Sequence, residues 1–212
     1  NLKIASQCLT NPDVERYREI LWEEYGSFAP AAERAAAVFS EAFREFPFDI
    51  GCVYCGPQNA GPSNLLYEKA TGFQSTMTCY AYDDLDGWRS IYPAEVFCEQ
   101  LRKLSEKWKE GLALLEGMPE NSLTTAAWGG YALFYSSYLQ TEFVLCRERG
   151  DFERLRWIVS EERGLALLMY HLMLGSSLIG YEAANHYYFN KGMLIEKALC
   201  CDYLAEQYRA AE

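Results

Sequence analysis

Histidine is nearly absent from this chain: only His171 and His186 occur in 212 residues. A structural zinc site needs two ligand pairs, usually two Cys-x-x-Cys pairs or one with two histidines. The pair in "CVYC", Cys52 to Cys55, has no histidine near it in sequence. A thioredoxin-type use of the same spacing needs a βαβ setting, and the surrounding pattern offers none. We therefore expect no metal and no cofactor.

Basic residues are scarce as well. Lys and Arg number 19 against 30 Asp and Glu, for a net charge of −11. Nucleic-acid binding depends on cations that displace phosphate counterions, so it is excluded as a class, as is an anionic membrane surface. A neutral ligand such as a sugar or peptide is compatible with this charge. Long apolar runs are missing too. A spanning helix needs about 20 predominantly apolar residues. The run 121–141 contains Asn121, Ser122, Thr124, Thr125, Ser136, Ser137 and Gln140, and the run "GLALLMYHLMLGSSLIGY" at 164–181 holds His171 and two serines. Both read as buried central helices. Internal repeats and low-complexity segments are absent.

Half of the residues are hydrophobic, which marks a globular chain. Aromatics are abundant, with 16 Tyr, 11 Phe and 5 Trp. Tyr and Trp join a polar handle to an apolar body, so they suit half-buried positions in a ligand groove or a domain interface. The eight cysteines include several in apolar helix stripes, where a thiol behaves as a small hydrophobe. No signal peptide is visible. The expectation is reduced thiols in a cytoplasmic protein. The start at Asn1 rather than Met suggests a domain cut from a longer chain, with residues 1–212 as one helical domain.

Helix signals recur along most of the sequence. Asn11, Pro12 and Gly26 bracket one helix. Alanines and the face Val38, Phe39, Ala42, Phe43 and Phe46 mark a second. Phe97, Leu101, Leu104, Trp108, Leu112 and Leu115 make one stripe at three- and four-residue spacing. Asn121 to about Arg149 is the next helix, with a weak point at Gly129-Gly130. "RGD" at 149–151 is a turn, and Asp151 caps a helix to about Leu174. Gly192 to Ala210 is the last. Between them, Pro47 to Tyr92 is rich in Gly, Pro and aromatics without a helical period, with a short strand around Thr76 to Tyr82 as one option. The fold class expected is all-α: a bundle of about six helices with one long irregular loop.

Three segments hold groups that recognise ligands. "GPQNAGPSN", 56–64, presents Gln58, Asn59 and Asn64, amides that both donate and accept. The same amides satisfy turn backbone equally well. The segment lacks the lysine and spacing of a phosphate loop. "YDDLDGWRS", 82–90, sets Asp84 and Arg89 beside Trp88. Its spacing fails as a calcium loop, and capping with a local ion pair is the plainer use. "GYEAANHYYFN", 180–190, puts Glu182 and His186 on one helical face, with Asn185 and Tyr187 adjacent. A carboxylate orienting an imidazole suits acid–base chemistry. A buried Glu-Asn-His network that holds the last helix is the structural alternative.

The stretches "VYCGPQNAGPSNLLYEKATGFQSTMTCYAYDDLDGWRSIYPAEVF" and "SLIGYEAANHYYFNKGMLIEKALCCDYL" resemble the C-terminal helical region of large gut Firmicutes proteins whose preceding part looks like a glycoside hydrolase barrel. The resemblance covers about residues 45 to 205. It implies a helical accessory domain whose partner is a catalytic domain of the same polypeptide, with a carbohydrate as ligand. It transfers no catalytic residue, and Cys55 stands where an aromatic is expected. The candidate substrate-binding residues are then Gln58, Asn64, Asp84, Trp88, Arg89, Glu182, Asn185, His186 and Tyr187. The alternatives are a self-contained enzyme with Glu182 and His186 as its acid–base pair, or a purely structural domain.

Overall fold

A computed structural model describes residues 14–77, 80–175 and 191–210. Its long helices are α1 (Val14–Tyr25), α2 (Ala29–Ala42), α5 (Ala94–Ala113), α6 (Ser122–Arg149), α7 (Phe152–Gly175) and α8 (Lys191–Ala210). Two short helices, α3 (Ile50–Cys55) and α4 (Leu85–Arg89), lie in the irregular stretch between α2 and α5. The fold is all-α, a bundle whose long helices match the predicted ones. The helix start expected at Asn11 and Pro12 lies outside the described residues. Among the described residues there is no strand: where one was an option, the Thr76 N–H donates to the Tyr80 carbonyl at 2.9 Å and Thr76 Oγ1 accepts from the Tyr80 N–H at 3.0 Å.

Local chemistry accounts for the boundaries. Asn121 caps α6 by accepting from the Leu123 and Thr124 N–H groups, and Thr124 reciprocates at the Asn121 N–H. Gly150 ends α6 in the left-handed region at φ 71°, a conformation that glycine adopts without the Cβ penalty. Asp151 accepts from the Arg154 N–H and starts α7. The weak point expected at Gly129-Gly130 is not a break, since α6 runs through it. Gly130 instead admits the indole of Trp108: a Cβ there would stand 2.4 Å from Cζ2.

The α5 stripe packs as its spacing predicts, with Phe97, Leu101 and Leu104 at most 1% exposed. The central helix is α6, which packs against α5 on one side and α7 on the other; α8 lies against α7. Six of the fourteen buried residues on α6 are polar: Thr124, Thr125, Ser136, Ser137, Gln140 and Thr141. This explains why the run 121–141 is too polar for a bilayer and still central. Among the described residues, no helix is long and apolar enough to cross a membrane.

Candidate functional site

Of the candidates in the first two loop segments, Asn64, Asp84 and Trp88 are drawn together, and each candidate is occupied by the fold. The Asn64 amide donates to the Tyr82 carbonyl at 2.7 Å and to Gln140 Oε1 at 2.8 Å. Trp88 is 1% exposed, and its indole N–H donates to the Ala81 carbonyl at 2.8 Å. Asp84 caps α4 at the Gly87 N–H and accepts from the backbone and hydroxyl of Ser75. Thus Asn64, Asp84 and Trp88 converge on the 81–84 turn as its internal scaffold. The Gln58 amide donates to the Cys52 and Val53 carbonyls and finishes α3. Arg89 pairs with Asp86 at 2.6 Å and donates to the Tyr92 carbonyl. Glu182, Asn185, His186 and Tyr187 lie outside the described residues.

Beneath this scaffold runs a closed polar ring that sequence reading missed. Asn64 donates to Gln140, Gln140 donates to Ser136 Oγ at 2.7 Å, and Ser136 donates to Glu162 at 2.9 Å. Lys197 closes the ring. Its ammonium sits 2.6 Å from the Glu162 carboxylate and donates to the Asn64 carbonyl at 2.5 Å. Neither Lys197 nor Glu162 is exposed at all. Burial pushes the Glu162 carboxyl up, against the opposing pull of Lys197 and Ser136. The ring joins the Gly-Pro loop to α6, α7 and α8. With its donors aimed at acceptors within the fold, it supports structure rather than chemistry.

The open surface lies elsewhere, in a trough over α6 walled by α5 and α7. Its wide lobe has a volume of about 880 Å³. Leu112, Leu115, Leu168 and Leu172 form apolar walls, and Trp128 and Tyr131 rise from the floor. Lys109, Glu116, Glu120, Thr125 and His171 supply polar groups at its margin and base. A narrower lobe of about 240 Å³ continues past Lys109 and Tyr131, which line both. It is bordered by Arg102, Tyr135, Tyr138, Arg154 and Trp157. From Thr124 to Tyr138 the trough follows α6 for about 20 Å, taking 1.5 Å of rise per residue.

The trough floor is an aromatic ladder. The Trp128 and Tyr131 rings meet edge to face at 6.1 Å. Tyr131 stacks on Tyr135 at 5.3 Å, and Tyr135 on Tyr138 at 6.2 Å. The spacing 128, 131, 135, 138 is one helical face, so this periodicity was present in the sequence. Nothing in the spacing itself separates such a face from an ordinary core stripe; exposure does, and Trp128 is 44% exposed. Burial, with help from Glu161, raises the phenol pKa of Tyr131 and Tyr135, so these rings serve as neutral donors. In the narrow lobe the Arg154 guanidinium lies 3.8 Å from the Trp157 ring centre and grips Glu142 at 2.8 and 3.0 Å.

The Thr125 hydroxyl differs from the other buried hydroxyls of α6. Thr124, Ser136, Ser137 and Thr141 all make side-chain hydrogen bonds. Thr125, 4% exposed and lining the wide lobe, has no side-chain hydrogen bond among the described residues. A pocket of this size, mainly apolar and aromatic with a few convergent polar groups, has the character of a small-ligand site. No protein family, curated protein or solved structure matches the chain.

Proposed function

We propose that this chain is a helical accessory domain of a larger glycoside-hydrolase-like protein, and that its trough contributes to carbohydrate binding. The observation that carries the reading is the wide lobe, where exposed Trp128 stands beside Tyr131 and a Thr125 hydroxyl that is unbonded among the described residues. A sugar presents an apolar C–H face edged by hydroxyls. An aromatic ring receives that face, and neighbouring hydroxyls and amides both donate to and accept from its rim. The sequence resemblance to helical regions that follow a hydrolase barrel supports the same reading. The carboxylate pair that cleaves a glycosidic bond would come from the partner domain, and the role of this domain is to hold a stretch of the glycan.

The test is titration of linear oligosaccharides into the chain, followed by calorimetry and by tryptophan fluorescence. Trp128→Ala and Tyr131→Phe are expected to weaken binding, about tenfold for the tryptophan if it supplies close to 1.4 kcal/mol. Gln58→Ala is expected to leave it unchanged, because that amide is spent on the α3 carbonyls. Binding that is indifferent to Trp128→Ala refutes the trough as the sugar site.

A further inference from the structure

We propose that the wide lobe takes an amine-bearing sugar and seats its ammonium group against Glu116 and Glu120; this rests on the carbohydrate reading above. Both carboxylates line the lobe, and neither makes a hydrogen bond or ion pair among the described residues. Their state is unusual for this face of the molecule. Glu99 and Glu106 are held by Arg102, Glu142 by Arg154, and Glu161 receives the Tyr135 hydroxyl. Among the described acids of the trough, Glu116 and Glu120 are the two left to meet a cation from outside.

The lobe offers more than two acids. Trp128 presents an exposed ring, and an indole face attracts a cation through its quadrupole. Thr125 is 4% exposed and lines the lobe, and its hydroxyl, unbonded among the described residues, is available to a sugar hydroxyl or to an N–H donor. Charge also sets direction. Lys109 stands where the two lobes join, whereas Glu116 and Glu120 line only the wide lobe. A cationic ring is therefore favoured at the Glu116–Glu120 end and disfavoured at the junction. The net charge of −11 draws cationic ligands to the molecule as a whole.

The probes are three oligosaccharides of equal length, from glucosamine, N-acetylglucosamine and glucose, with tetramethylammonium as a sugar-free cation. Each is titrated calorimetrically into the whole chain at a pH below the amine pKa. The glucosamine oligomer is expected to bind about tenfold tighter than its acetylated twin, the increment of one charge-assisted contact. That advantage should shrink in high salt and vanish in Glu116→Gln/Glu120→Gln, which keeps both exposed side chains nearly isosteric and retains the wild-type circular dichroism. Equal affinity for all three oligomers overturns the ammonium site and leaves the carbohydrate reading standing. Binding of tetramethylammonium without any oligomer, or of no probe at all, overturns both.

Discussion

Lys197 and Glu162 are a lysine and a glutamate with no exposed surface, 2.6 Å apart, and their neighbours satisfy what the pair leaves over. Removing one partner strands the other charge in the core. Lys197→Ala should therefore cost about 3–5 kcal/mol in urea unfolding, whereas replacing both residues by Met and Leu should cost far less. The cysteines give a second residue-level expectation. Burial pushes the Cys98 and Cys201 thiols up to about 12 and Cys52 up to about 11. These groups stay neutral in the fold at a pH where unfolded thiols, near pKa 8.5, have ionised. Their contribution to stability is full below about 8.5 and is lost as pH rises through the folded values. Melting temperature should fall between neutral and strongly alkaline pH, and the fall should be smaller in Cys98→Ala/Cys201→Ala. At neutral pH, the same thiols should resist alkylation until the protein is unfolded.

At the scale of elements, close approach and capping govern the outcome. Gly130 on α6 lets the Trp108 indole of α5 lie against the backbone, and that indole also stacks on Phe39 of α2 at 4.4 Å. Gly130→Ala should push this three-helix contact apart at a cost of about 1–3 kcal/mol, measured by thermal unfolding. Asn121→Ala should remove about 1 kcal/mol through the lost α6 cap. The elements themselves were legible in sequence, because caps, left-handed glycines and the 97–115 stripe are local signals. Gly130 was misread for a related reason: glycine weakens an isolated helix, and only the tertiary partner turns that weakness into a docking point. The loop 47–92 was seen as irregular. Its two short helices, and the Asp83–Arg147 pair at 2.8 Å that ties it to α6, depend on contacts between residues 64 apart and could not be read locally.

For the whole molecule, the sequence signalled ligand-recognising residue types more clearly than their placement. Amides, an indole and carboxylates in the loops have the right chemistry for a sugar. Within the described residues, however, Gln58, Asn64, Asp84 and Trp88 spend that chemistry on the backbone of their own chain. The open equivalents are on the long helices, in a trough that exists only once α5, α6 and α7 are side by side. A binding defect without a stability defect should therefore map to Trp128, Glu116 and Glu120. A stability defect should map to Asn64, Trp88 and Lys197. A panel of alanine variants scored for both ligand affinity and melting temperature should fall into these two groups.

The closed polar ring also has a direction in time. Four of its five members lie between Asn64 and Glu162, and the fifth, Lys197, is synthesised last. As the chain leaves the ribosome, α6 and α7 can pair while the Glu162 carboxylate still lacks its cation. Until α8 arrives, that carboxylate must stay hydrated or take up a proton, which keeps the centre of the bundle from drying. Completion of the core is thereby coupled to completion of the C-terminal helix, and a chain stalled before residue 197 should remain a substrate for proteases and chaperones.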